Sequence, residues 1–142
     1  MTHSDILETI SRIKASARLF ILNELIRLGI EDMAPSHGAV LACLVKAGGP
    51  VPVTNLVLAL KRPKSTITKT TDSLERGGYL NKKPNPADGR SYLVTLTPKG
   101  RECYAQFEEI MLRLEQKILG GLSREDGEAL IRLLRMVEDN LA

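Results

Sequence analysis

Little in this sequence belongs to the kinds of residue that do covalent chemistry. The two cysteines, Cys43 and Cys103, lie 60 positions apart, which is neither a disulfide framework nor a zinc spacing and fits a reducing compartment. Two histidines, His3 and His37, are too few for a histidine-rich metal site. No Walker A loop, GxSxG, HExxH or CxxC is present, so catalysis is not expected and no cofactor is implied. The longest purely apolar run, AVLACLV at 39–45, falls far short of the ~18 residues a membrane span needs. The N-terminal MTHSDILETI lacks a basic stretch leading into an apolar core, so no secretory signal is expected. The expectation from these absences is a cytoplasmic protein.

What is present is an ordinary globular composition with an uneven charge. At 142 residues, 43% hydrophobic and 26% charged, the chain is long enough for one domain with a real core and too short for two ordinary ones. The net charge is only +3, but between Lys61 and Arg101 ten Lys/Arg face three acids (Asp72, Glu75, Asp88). That stretch therefore carries +7 and the remainder −4. A basic middle between acidic ends fits a polyanionic partner. It fits an unevenly charged solvated surface as well, because net charge alone supports only non-specific attraction.

Helical periodicity organises most of the chain. From Ser4, read as an N-cap, to Gly29, the apolar positions Leu7, Ile10, Ile13, Ala17, Phe20, Ile21, Leu25 and Leu28 recur at helical spacing. Pro35-Ser36 opens a second helix with Val40, Leu41, Leu44 and Val45 as its stripe, ended by Gly48-Gly49-Pro50. An extended VPV at 51–53 leads to Thr54, read as the cap of a third helix carrying Leu56, Val57 and Leu60.

The fourth helix is predicted within PKSTITKTTDSLERGG at 63–78, with Pro63 at its first position and Gly77-Gly78 as its stop. Its apolar line is thin (Ile67, Thr70 or Thr71, Leu74), and the rest is hydroxyls and lysines. Ser and Thr are mediocre helix formers, so this is either a solvated helix or one whose short side chains let its backbone approach phosphates and base edges. YLNKKP at 79–84 and SYLVTLT at 91–97, joined by NPADGR, read as a β-hairpin with Tyr92, Val94 and Leu96 on one face. Thr97-Pro98 then caps a fifth helix carrying Tyr104, Phe107, Ile110, Met111, Leu114 and Ile118. Ser123 with Asp126 resembles a capping box for a sixth, lined by Leu130, Leu133, Leu134, Val137 and Leu141.

Helix, turn, polar helix, then hairpin is the order of a winged helix-turn-helix. From Leu56 to Gly100 the chain resembles the MarR family of bacterial transcriptional regulators: STIT at 65–68, LERGGYL at 74–80, Asp88-Gly89-Arg90, and Leu96-Thr97-Pro98-Lys99-Gly100 match its recognition helix, helix exit, wing and following helix start. Pro63 departs from the Ser or Asp cap common in the family, and Lys61-Arg62 replaces a Gly/apolar pair. The expected fold class is mostly α with a small β-hairpin wing, one domain over 1–142. Within it, a DNA-binding core at about 36–98 is flanked by dimerisation helices at about 4–30 and 98–142.

The resemblance implies double-stranded DNA as partner. The fourth helix would enter the major groove with Ser65, Thr66, Thr68 and Lys69, while Lys61, Arg62, Lys64 and Lys83 meet the backbone. The wing, narrowed by Pro86 and Gly89, would place Arg90 in a minor groove, with Asp88 holding that arginine. A homodimer on a pseudo-palindrome would set its half-sites ~34 Å apart. Release by a small hydrophobic or aromatic effector is the family expectation, and its binding residues carry no transferable motif. Three alternatives stay open: activation in place of repression, redox sensing through Cys103 or Cys43, and a winged module for non-specific DNA or protein binding. His37 is read as a helix-terminal polar group.

Overall fold

A computed structural model of the chain describes residues 3–142, with side chains from residue 5 onward. Its elements are α1 (His3–Arg27), α2 (Pro35–Ala47), β1 (Val51–Pro52), α3 (Val53–Leu60), α4 (Lys64–Arg76), β2 (Leu80–Asn85), β3 (Asp88–Leu96), α5 (Pro98–Ile118) and α6 (Arg124–Leu141). The expected N-cap at Ser4 lies outside the described side chains. None of the helices among the described residues is long and apolar enough to cross a membrane.

The core forms where α2, α3, α4 and the sheet meet the C-terminal part of α1 and the middle of α5. Leu25, Leu41, Leu56, Ile67, Leu74, Leu80 and Ile110 are its largest fully buried side chains. Only the C-terminal half of the α1 stripe enters it: Ile21 and Leu25 are buried, whereas Leu7, Ile10 and Ile13 are exposed. The stripe expected on α6 is exposed as well, apart from half-buried Leu130, with Leu133 50% and Leu141 81% accessible, and the one buried residue of that helix is Gly127. Val45 of α2 and Met111 and Ile118 of α5 also face outward.

Local chemistry sets the helix ends. Gly48, at φ +71°, takes the left-handed conformation that stops α2. At the start of α2, His37 Nδ1 accepts from the Ala34 N–H at 2.9 Å, a capping arrangement that confirms its helix-terminal role. Thr97 Oγ1 accepts from the Gly100 N–H at 3.1 Å to open α5, and Ser123 Oγ accepts from the Asp126 N–H at 3.0 Å to open α6. Two expected caps differ. Pro52, with an extended ψ of 139°, holds the N-cap position of α3, so Thr54 lies inside that helix. Pro63, at ψ 145°, is likewise the N-cap residue of α4, one place before the first helical position. Its ring fixes φ but offers no acceptor, so neither helix has a side-chain cap there.

The hairpin gains a third strand. The two residues of β1 pair antiparallel with β3 through Val51↔Val94 and Pro52↔Leu93, giving the order β1-β3-β2. In β3, Val94 is fully buried while Tyr92 on the same face is 52% exposed, because the hairpin runs outward past the core toward its tip.

Candidate nucleic-acid interface

The polar helix α4 presents two faces. Ile67, Thr70, Thr71 and Leu74 are buried against the core. Thr71 is accommodated because its hydroxyl donates to the Ile67 carbonyl at 2.9 Å, so no polar group is stranded. The opposite face exposes Ser65, Thr66, Thr68 and Lys69, with Lys64 at the helix start. Short hydroxyl side chains flanked by lysines form a low, hydrogen-bonding surface suited to close approach by a polyanion.

The turn leading into α4 places its two cations differently. Lys61 is exposed and left-handed at φ +51°; it occupies a conformation that glycine adopts without strain. Arg62 is half-buried, and its Nη1 donates to the Ser36 carbonyl at 3.3 Å. Its guanidinium thus braces the start of α2.

At the wing, Pro86 and Ala87 form a two-residue tip between Asn85 and Asp88, which pair across it. The regular register ends at Pro84↔Tyr92, so Gly89, Arg90 and Ser91 bulge from β3. Two side-chain carboxamide and carboxylate contacts shape the tip: Asn85 Oδ1 accepts from the Ala87 N–H, and Asp88 Oδ1 from the Arg90 N–H, both at 3.0 Å. Asp88 therefore holds Arg90 through its backbone, and not through the guanidinium as the resemblance implied. Arg90, Gly89 and Lys83 are exposed.

All three acids of the basic stretch are engaged. Asp88 is bonded to the Arg90 backbone, Asp72 pairs with the Lys82 ammonium, and Glu75 Oε2 accepts from the Lys82 N–H at 2.9 Å. Lys64, Lys69, Lys83 and Arg90 remain exposed beside them, so the local field is cationic where the hydroxyl face lies. Sequence reasoning did not single out Lys82, because its inward placement depends on strand register.

The exit of α4 is joined to the start of α5. Thr97 Oγ1 donates to the Gly78 carbonyl at 2.6 Å, the Thr97 N–H donates to the Tyr79 carbonyl at 3.1 Å, and Lys99 Nζ donates to the Gly77 carbonyl at 2.6 Å. Lys99 Nζ also lies 4.4 Å from the centre of the Tyr79 ring. A Cβ on Gly100 would stand 2.0 Å from the Tyr79 carbonyl oxygen, so this junction requires glycine.

The cysteines do not form a reactive pair. Cys103 is buried, and burial pushes its thiol up to about 11, with Asp32 adding to the shift. That is opposite to the low value a thiolate sensor needs. Cys43 is half-buried on α2.

Residues 33–100 match the family model for a winged helix DNA-binding domain. Over 80 residues the chain is 31% identical to a protein described as the transcriptional regulatory protein for the hcr operon of Thauera aromatica, covering 56% of this chain and 48% of that one. The chain thus spans about half the length of this curated relative. Among solved structures, the PcaV transcriptional regulator from Streptomyces coelicolor, crystallised with its natural ligand, is 26% identical with a TM-score of 0.84, covering 99% of this chain and 95% of that one. A MarR protein from Peptoclostridium difficile superposes with a TM-score of 0.87 at 23% identity, over 99% and 90% of the two chains. Residues 33–100 thus match a winged helix DNA-binding domain, and the chain is built, over nearly all its length, on the fold of the MarR-type regulators.

Proposed function

We propose that this protein is a transcriptional regulator that binds one double-stranded DNA sequence as a homodimer, represses by occupying a promoter, and is released by a small molecule. The observation that carries the reading is the exposed hydroxyl and lysine face of α4, with Ser65, Thr66, Thr68 and Lys69, next to a wing that exposes Arg90. In this reading residues 36–98 read the DNA. Lys61, Lys64 and Lys83 contribute phosphate contacts; Arg62 contributes through the turn it braces.

The dimer reading rests on apolar surface. Along α1 and α6, Leu7, Ile13, Leu133, Leu134 and Val137 are each more than 40% exposed, and exposed apolar side chains in such number mark a surface for a partner. A second copy packed through residues 4–30 and 98–142 covers it and sets two copies of α4 on a pseudo-palindrome. A small-molecule effector is supported by PcaV, whose structure holds its natural ligand. A cavity of about 500 Å³ between α1, α5 and α6, floored by Phe20 and Leu114, lies among the helices whose packing would set the spacing of the two copies. The buried, weakly acidic Cys103 disfavours redox sensing.

The test is to select DNA from a random-sequence pool by repeated binding, then measure anisotropy on the selected and a scrambled duplex over a salt series. Specific regulation predicts an affinity ratio of ~10³ or more. A ratio near one leaves non-specific compaction or protein binding as the function. Arg90→Ala is expected to cost ~1–3 kcal/mol on the selected site, and Lys69→Ala to lower affinity on both duplexes with a salt slope smaller by about 1 if Lys69 meets phosphate. Unchanged affinity in both variants sinks the assignment. Sedimentation of the wild type should give a dimer, and Leu134→Glu should give monomers.

A further inference from the structure

Lys82 occupies an inward position on the strand that borders the wing. The register sets it opposite Val94, which is fully buried, and on the same face as buried Leu80. Its side chain is only 10% exposed. A lysine so placed is costly unless its ammonium is paired, and here it is paired with the Asp72 carboxylate and lies 5.8 Å from the centre of the Tyr92 ring. The same residue donates its backbone N–H to Glu75 Oε2 at 2.9 Å. Asp72 and Glu75 are three apart on α4 and so stand on one face of it.

A single residue of β2 therefore grips α4 at two points about one helical turn apart. An apolar side chain of similar volume would fill this position at little cost in stability, since an ion pair with one partner half-exposed contributes little and good packing often matches it. What a paired charge adds is fixed geometry. We infer that Lys82 is a positioning residue that sets the angle between α4 and the wing, and thereby how sharply the protein discriminates one DNA sequence from another, without itself touching DNA. The inference rests on the sequence-specific reading above. Simultaneous contact with two grooves requires the two reading elements to be held to within about 0.5 Å. Non-specific attraction by exposed Lys64, Lys69, Lys83 and Arg90 needs no such precision, because phosphate charge is everywhere along the duplex.

The experiment compares wild type, Lys82→Met, Asp72→Asn and Lys82→Arg on the selected and scrambled duplexes over a salt series, each with its unfolding midpoint. Asp72 is 46% exposed, so Asp72→Asn opens the same contact from a surface position if Lys82→Met does not fold. The expected result is that the selected-to-scrambled ratio falls by about tenfold in Lys82→Met and in Asp72→Asn, with no further fall when they are combined, since the two changes remove one coupling. Lys82→Arg should retain the ratio, and the salt slope of Lys82→Met on scrambled DNA should equal that of wild type. A slope reduced by about 1 at constant ratio would make Lys82 a phosphate contact and overturn the inference. So would a variant that self-associates through the free edge of β2 while keeping its ratio, because Lys82 would then only guard that edge. A wild-type ratio near one overturns the sequence-specific reading, and this inference with it; an intact wild-type ratio that neither variant lowers overturns the inference alone.

Discussion

The Tyr79 hydroxyl donates to Asp32 Oδ1 across 2.8 Å, joining the residue just past α4 to the loop between α1 and α2, 47 positions earlier. Burial and the Asp32 carboxylate both push the Tyr79 phenol above its ordinary value, so it stays a donor at any physiological pH. Tyr79→Phe removes the donor and leaves the Asp32 oxygen without it. The expected loss is about 1 kcal/mol, read as a lower urea midpoint at unchanged slope. A midpoint equal to wild type would show that water replaces the phenol at no cost.

Gly100 and Gly89 provide a matched pair of substitutions. At Gly100 a Cβ would meet the Tyr79 carbonyl at 2.0 Å and Leu96 at 2.9 Å; at Gly89 nothing lies within 4 Å. Gly100→Ala must displace backbone and is expected to destabilise by roughly 3 kcal/mol. Gly89→Ala should stay within about 0.5 kcal/mol of wild type. Chemical unfolding of both variants checks the contrast, which fails if the two midpoints coincide.

His37 makes stability depend on pH. Burial holds its imidazole below its ordinary 6.5, with Asp32 opposing in part, and the neutral ring is the form whose Nδ1 can accept from Ala34. The unfolded chain therefore binds the proton more readily. The contribution is complete above about pH 6.5 and is lost as pH falls through the lower folded value. Stability should decline in that window for wild type. His37→Gln, which can keep the cap, should flatten that part of the profile. An identical slope in the variant would assign the pH dependence to other groups.

The Cys103 thiol should be slow to react. With a value of about 11, only about one part in a thousand is thiolate at pH 8. Alkylation at pH 8 should accordingly lag an unperturbed thiol by at least tenfold, and mild peroxide should leave DNA affinity unchanged in wild type and in Cys103→Ser alike. Rapid labelling of Cys103 in the folded protein would reopen redox sensing.

The parts of the fold that sequence made legible are those whose determinants are local. Thr97-Pro98 and Ser123 cap α5 and α6 as the local chemistry requires, and Gly77-Gly78 ends α4. Thr54 was read as a cap because it is a good capping residue, but Pro52 already has the extended backbone of an N-cap and starts the helix two residues sooner. The pairing of β1 with β3 joins Val51 to Val94, and two residues carry no alternation to announce it. At the interface, the hydroxyl face of α4 and the wing tip follow from short motifs. The return of Arg62 to Ser36 and the Lys82 contacts with Asp72 and Glu75 depend on which faces the folded elements turn to one another, and no motif records that.

The junction of α4 with α5 has a mechanical consequence. Helix α5 is 21 residues long, hence about 32 Å at 1.5 Å per residue. One end is bonded at Gly77, Gly78 and Tyr79 to the exit of α4; farther along, Leu114 and Ile118 border the cavity shared with α1 and α6. Such a rod is a lever. A tilt of about 5° about one end carries the other through roughly 3 Å over that length, comparable to the rise of one base pair. Under the function proposed above, with α4 seated in a DNA groove, a modest repacking among the outer helices would be enough to shift α4 relative to that groove.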